Sequence, residues 1–317
     1  MRADCATVRR RAPAARSVLA GFAGALCALA IVAGFTAPAL AGRPFRGAIL
    51  MDLHSGKTLF EIQADTPVAP ASLAKVMSLF LTYDAVHAKK LKMDERVRIR
   101  REAATIGGSS MRLRAGERVR VRDLMLGAAV ASGNDAITAL ALRLAGSQRA
   151  FARAMNAKAR ALGMRGTDFK NPSGLPAAGQ RSTPRDMATL ARAYIRTHPQ
   201  AVALHGTRVL RHGGRTHYNT NTLLGVMPGV TGLKTGWTMA SGYNIIATAQ
   251  RGKKWLLAVV MGGKSRTARD NMAASMLRAG FASGGDPARI RKMLGYRAAT
   301  PRKGRAATIR PRARSKL

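Results

Sequence analysis

The chain has 317 residues and carries 54 Lys+Arg against 15 Asp+Glu, a formal net charge of +39. Hydrophobic residues make up 47%, which excludes a disordered polycation and allows a sizeable core. Aromatics are only 5%, which argues against a base-stacking surface for single-stranded nucleic acid.

Residues 1–41 open with a cluster of positive charge, Arg9, Arg10, Arg11 and Arg16. An apolar run follows over 18–37, and the small residues Ala39 and Ala41 fit a signal-peptidase site before Gly42. The segment is read as an export signal; an uncleaved membrane anchor is the alternative. Cys5 and Cys27 both fall inside it, so the mature chain is expected to hold neither disulfide nor thiol nucleophile. Export to the periplasm or beyond also removes most of the case for a nucleic-acid partner.

Residues 46–53 and 58–63 read as two strands joined by a His54–Lys57 turn. Over 72–88 apolar residues recur at helical spacing. Further helices are expected at 119–131, with Asp123 as a cap or first-turn acid, and at 135–144, 148–162 and 183–197. Strands are expected at 230–234, 243–250 and 255–262, and a closing helix at 266–281. Strands at both ends with helices between predict an α+β domain over 42–285, an antiparallel sheet flanked by helices with a helical subdomain. Residues 286–317 hold 11 Lys/Arg and one acid, with Pro301 and Pro311. They are read as a disordered basic tail, either solubilising or attached electrostatically to an anionic membrane or envelope polymer.

Three short motifs bear chemistry. Ser72-Leu73-Ala74-Lys75 puts a hydroxyl and an amine on one helical face, where a lysine of depressed pKa can activate the serine. Taken alone, an N-cap serine with a solvated lysine is the stronger reading. Ser132-Gly133-Asn134 lies between two apolar helices, where Ser132 can pass a proton and Asn134 can hold a carbonyl; an ordinary helix connection fits equally. Lys234-Thr235-Gly236 ends a strand-like run. A cation and a hydroxyl there suit a carboxylate, and the glycine admits a backbone closely, although a surface lysine in a turn has the same composition.

Each motif occurs once, in that order, and together they resemble the active-serine penicillin-recognising enzymes. Several further stretches extend the match over 44–284. These are Asn171-Pro172-Ser173-Gly174-Leu175, 182–188, 219–224, Trp237-Thr238, Ser241-Gly242-Tyr243-Asn244, and 261–265 with Arg269. The segment is similar to the D-alanyl-D-alanine carboxypeptidases, the low-molecular-mass penicillin-binding proteins.

That resemblance implies Ser72 as nucleophile toward a peptidoglycan stem peptide, Lys75 as general base, and Ser132 with Lys234 as a proton relay to the leaving D-alanine. It implies Asn134 on the substrate peptide and the N–H groups of Ser72 and Trp237 as an oxyanion hole. Gly236 would pass the substrate backbone, and Thr235 and Arg269 would take the terminal carboxylate. It implies β-lactams as acylating inhibitors and no metal or cofactor. None of the six histidines matches a role, and all are read as surface or structural.

A class A β-lactamase needs a deacylating glutamate between the second and third motifs, and no glutamate follows Glu117. A D,D-endopeptidase shares the three motifs. A non-catalytic cationic envelope-binding protein would not need Ser72, Lys75 and Lys234 intact. Many family members also carry a second, β-rich domain, for which the roughly thirty residues after 285 are too few. Ser241 stands where alanine is commoner in the family.

Overall fold

A computed structural model describes residues 44–296. The expected signal segment 1–41, its two cysteines and the basic stretch 297–317 lie outside the described residues.

The strand β1 (Gly47–Asp52) turns through His54–Lys57 into β2 (Thr58–Ile62), antiparallel to it. A loop leads to a single 3-10 turn, Ala71–Leu73, which runs directly into α1 (Ala74–His87). The expected helix at 72 is thus split, and Ser72 sits in the tight turn before it. Next come β3 (Arg96–Arg98), α2 (Arg101–Ala104) and β4 (Arg118–Arg120), with β3 and β4 paired antiparallel. The helix expected over 119–131 begins later, as α3 (Val121–Ala129), because Val119 is drawn into the ribbon opposite Val97. Asp123 is its first-turn acid.

Helices α4 (Asn134–Ala145), α5 (Gln148–Ala161) and α6 (Pro184–Thr197) follow close to their expected bounds. The N-cap hydroxyl of Thr183 accepts from Asp186 N at 3.0 Å, and Pro184 occupies the first turn, where its missing N–H costs nothing. A short helix α7 (Ala201–Gly206) and a hairpin of β5 (Val209–His212) and β6 (Arg215–Tyr218) come next. Then a meander forms from β7 (Val230–Thr238), β8 (Gly242–Arg251) and β9 (Lys254–Gly263), with α8 (Arg266–Ala282) behind it.

The main sheet has the order β2-β1-β9-β8-β7, and every pairing in it is antiparallel. The N-terminal hairpin therefore joins the C-terminal meander through β1 and β9. Period-two alternation sends Ala48 and Leu50 into a core shared with α8, while Ile49 and Met51 enter the larger core built on α1 and α3–α6. The α+β architecture expected from the sequence is the one observed.

Ordered structure continues past the expected boundary at 285. Asp286 caps a final helix, α9 (Pro287–Met293), with its carboxylate accepting from Ala288 N at 2.9 Å. Ile290 is fully buried, and Tyr296 packs its ring on Phe60 with centroids 5.4 Å apart. Ile290, Leu294 and Tyr296 provide an apolar edge that the arginine and lysine count concealed. No helix among the described residues is long and apolar enough to cross a membrane.

Candidate active site

Ser72, Ser132, Thr235, Gly236, Trp237 and Arg269 line one cavity of about 390 Å³, together with Ser109, Thr220, Tyr243 and Arg266. The three sequence motifs thus converge from the turn before α1, the α3–α4 connection and β7.

Lys75 lies at the centre and is fully buried. Its Nζ lies 2.8 Å from Ser72 Oγ, 2.7 Å from Asn134 Oδ1 and 2.7 Å from the Ser173 carbonyl. Burial, with the charge of Lys234 second, holds its pKa well below the ordinary lysine value, against an opposing contribution from Asp135. A neutral amine has two N–H donors and one lone pair. Ser173 O and Asn134 Oδ1 only accept, so they take both N–H groups. The lone pair is then left facing the Ser72 hydroxyl, which can donate. The Asn134 amide cannot be reversed, because its Nδ2 donates to the Gly107 carbonyl at 2.7 Å.

The contact with Ser173 was not apparent from the sequence, because the group concerned is a backbone carbonyl 98 residues away. The 171–175 loop is shaped by Asn171, whose Oδ1 accepts from Gly174 N and whose Nδ2 donates to Leu175 O. It is pinned to α1 a second time by Ser78 Oγ, which donates to Pro172 O at 2.7 Å. Gly174, at φ +81°, lies so close to the Ala71 carbonyl that a Cβ would overlap it. Ala71 itself has φ +49°, a left-handed conformation in the turn that carries the nucleophile.

Asn244 braces that turn from the sheet. It is fully buried on β8, donates through Nδ2 to Ala69 O (3.0 Å) and Pro70 O (3.2 Å), and accepts from Gly262 N at 2.8 Å. In the sequence, Asn244 ends the Ser241–Asn244 stretch, and nothing local marks it as a brace.

Gly236 on β7 comes closest to the nucleophile backbone. A Cβ there would lie 2.8 Å from Ser72 N and 3.2 Å from Leu73 N. Next to it, Lys234 is buried, and its Nζ donates to Thr220 Oγ1 (3.4 Å) and Thr235 O (3.0 Å). Burial, and then the charge of Arg269, bring the Lys234 pKa down to about 7. Thr235 Oγ1 also donates to Thr220 Oγ1, at 2.8 Å. Thr220 is therefore a further site residue; its only sequence signal was the 219–224 stretch.

Arg269 is buried on α8, donates through Nη1 to Asn244 O at 2.8 Å and lies 2.7 Å from the Asp270 carboxylate. Trp237 is 54% exposed and tilts against Tyr243, with ring centroids 5.8 Å apart. Ser132 has φ +57° and is buried at the cavity wall; its hydroxyl forms no hydrogen bond with Ser72, Lys75 or Lys234 in this state. Asp135 shapes the facing loop, its carboxylate accepting from Ser110 Oγ, Met111 N, Leu113 N and Ala136 N.

Ser241 has a structural use. Its buried hydroxyl accepts from Thr238 N at 2.9 Å and closes the β7–β8 turn. Among the histidines, His205 is fully buried, and burial with the nearby Lys234 charge lowers its pKa to about 3, so it stays neutral. His198 is buried with Nε2 2.8 Å from Asp84 Oδ1.

A family model described as D-alanyl-D-alanine carboxypeptidase matches residues 41–265. D-alanyl-D-alanine carboxypeptidase DacC of Escherichia coli is 40% identical over 243 residues, covering 74% of this chain and 61% of its own length. The chain spans about three-fifths of the length of the curated relatives it matches first. Penicillin binding protein 6B from Escherichia coli superposes with a TM-score of 0.72 at 37% identity, over 78% of this chain and 80% of that one. Penicillin-Binding Protein D2 from Listeria monocytogenes, in an ampicillin bound form, gives 0.69 at 32% identity, over 76% and 98%.

Proposed function

This chain belongs to the D-alanyl-D-alanine carboxypeptidase family, and on that footing we propose that it is a serine-type D,D-carboxypeptidase. It removes the terminal D-alanine from peptidoglycan stem pentapeptides, outside the cytoplasm, and β-lactams acylate it. The observation that carries the reading is the buried Lys75 amine, 2.8 Å from Ser72 Oγ and 2.7 Å from each of two pure acceptors, Asn134 Oδ1 and Ser173 O.

The neutral Lys75 accepts the Ser72 proton as Oγ attacks the penultimate D-alanine carbonyl. The developing oxyanion is received by the N–H groups of Ser72 and Trp237. The substrate backbone passes Gly236, where no side chain stands between β7 and the nucleophile. Thr235 and Arg269 receive the terminal carboxylate, and the ammonium of Lys234 adds charge beside it. The tetrahedral intermediate collapses, the C–N bond breaks, and the leaving D-alanine nitrogen takes a proton relayed through Ser132 beside Lys234; the proton that Lys75 accepted replaces it in the relay, so Lys75 is neutral again. Substrate would have to draw Ser132 into that relay. Water then attacks the ester, returning its proton through Lys75 and freeing Ser72. Asn134 acts on Lys75 through its oxygen and supports the substrate peptide.

The 171–175 loop supports a carboxypeptidase over a class A β-lactamase, since what it presents to Lys75 is a carbonyl and not a carboxylate.

The test is incubation with a fluorescent penicillin, with a stem pentapeptide and with a cross-linked muropeptide dimer. Covalent labelling abolished by Ser72→Ala, plus release of D-alanine from the pentapeptide, is expected. Labelling with cleavage of the dimer alone would make the chain an endopeptidase. Labelling that survives Ser72→Ala would overturn the assignment.

A further inference from the structure

Two segments alternate arginine with β-branched residues: Arg96-Val97-Arg98-Ile99-Arg100 and Arg118-Val119-Arg120-Val121-Arg122. They pair as the β3–β4 ribbon, with Arg96 opposite Arg120, Val97 opposite Val119 and Arg98 opposite Arg118. Val97 and Val119 are buried below, so the four arginines share the outer face. Like charges directly opposite on neighbouring strands, with Cβ atoms about 4.5–5.5 Å apart, destabilise a sheet. No acidic partner offsets them among the described residues, and Arg96 Nη1 meets only the neutral Arg118 carbonyl at 3.3 Å. By contrast, the flanking Arg122 and Arg143 are paired with Asp94 and Glu95. The acids nearby are thus already committed.

The charge continues toward the active site. Arg98, Arg100 and Arg101 rim a recess of about 560 Å³ whose far wall is Ala115 and Gly116. From there the chain leads back to a cleft of about 400 Å³ lined by Arg112, Arg114 and Arg215. The one acid in that cleft, Glu117, is engaged by Arg114 N at 2.9 Å and His212 Nε2 at 3.0 Å. Three residues before Arg112 is Ser109, on the wall of the catalytic cavity.

We propose that this track, from the cleft beside the catalytic cavity to the ribbon, is a docking surface for a polymer carrying repeated carboxylates. The occupant is the peptidoglycan strand itself, whose neighbouring stem peptides lie on the arginines while one is processed. This rests on the proposed carboxypeptidase function. A chain is favoured over a membrane plane because the guanidinium groups of the two recesses line concave walls, which a flat surface does not reach. The exposed face of the ribbon also carries no large apolar side chain to insert into lipid. Arginine suits the task, since its planar fork binds carboxylates bidentately.

The test replaces Arg96, Arg98, Arg118 and Arg120 with glutamine in the full chain. Co-sedimentation with lipid-free insoluble peptidoglycan at low salt should weaken roughly tenfold or more, and the salt sensitivity of binding should shrink. Release of D-alanine from the polymer should fall in step, while turnover of soluble pentapeptide and the rate of penicillin labelling stay at the parent level. The melting temperature should be unchanged or higher, because like-charge pairs are removed; if it falls, the pair Arg98→Gln, Arg118→Gln is used. Unchanged co-sedimentation overturns the proposal. So does a loss seen only in flotation with phosphatidylglycerol vesicles, which would make the face a membrane contact. A parent protein inactive on pentapeptide would refute the proposed function instead, and sedimentation would still report on the ribbon.

Discussion

The Nζ of Lys75 and the Oδ1 of Asn134 are 2.7 Å apart, so one hydrogen bond joins the first motif to the second across 59 residues. The other end of the same carboxamide is fixed on Gly107.

Asn134 is therefore expected to act on the base. Asn134→Ala should slow penicillin acylation by about 10²-fold or more, within the range for a misplaced general base. Stability should fall by about 1–3 kcal/mol, as Gly107 O and a Lys75 N–H lose their partner. Asn134→Asp separates the electrostatic part. A carboxylate against Nζ favours the ammonium, so the acid limb of the acylation profile should move to higher pH. Stopped-flow labelling across pH checks both; an unmoved acid limb in Asn134→Asp would reject the coupling.

The two buried lysines set opposite limbs of the pH profile. Acylation requires Lys75 neutral, so the rate rises with pH through its depressed pKa. Burial and the Arg269 charge bring the Lys234 pKa down to about 7, so recognition of a ligand carboxylate is expected to weaken above that value. A bell-shaped kcat/KM is expected for the free enzyme, with apparent values belonging to the coupled pair. Lys234→Arg, which stays cationic, should carry the alkaline limb out of the accessible range. An alkaline limb that persists in this variant would assign it to another group.

Gly236 is needed for the space it leaves. In Gly236→Ala the new methyl would lie 2.8 Å from Ser72 N, where the oxyanion is to be received. Acylation should fall by about 10²–10³-fold, with a stability cost of ~1–3 kcal/mol for the crowding. Labelling kinetics and urea denaturation check it. Parent-level acylation would mean that β7 yields at no catalytic cost.

Asn244 should be sensitive for a different reason. Asn244→Ala leaves Ala69 O and Gly262 N without their partner, and Pro70 O with Leu73 N alone. Each buried group left unpaired costs about 1–3 kcal/mol, and the turn carrying Ser72 loses its brace. The urea midpoint and the acylation rate should fall together. A fall in the midpoint alone would show that the turn is held by the 171–175 loop without help from the sheet.

Much of the fold and the core of the site were legible in the sequence, and for a local reason. Ser72 and Lys75 are a helical turn apart, and Lys234 to Trp237 are consecutive on one strand, so their spacing fixes their relation. Period-two and helical patterns located most strands and helices within a few residues. What escaped was non-local or unvaried in composition. Ser173 contributes a carbonyl, which every residue has. Asn244 acts through two carbonyls on a turn 174 and 175 residues away. The ribbon was hidden because three-residue strands rich in arginine look like charged surface, and Val119, one of the two valines that anchor it, was absorbed into the expected helix. The last helix was missed because eleven basic residues outweighed Ile290 and Tyr296.

The Lys75 amine is satisfied only where α1, the 171–175 loop and the start of α4 have all come together. No fragment of the chain holds all of these contacts, so on the proposed function a nascent or half-folded copy would have no hydrolytic power. On the proposed function, covalent capture of a β-lactam would therefore count native molecules one by one. It can serve as a stoichiometric titration of folding yield, read from intact mass, in a protein whose maturation would otherwise have to be followed through spectroscopy.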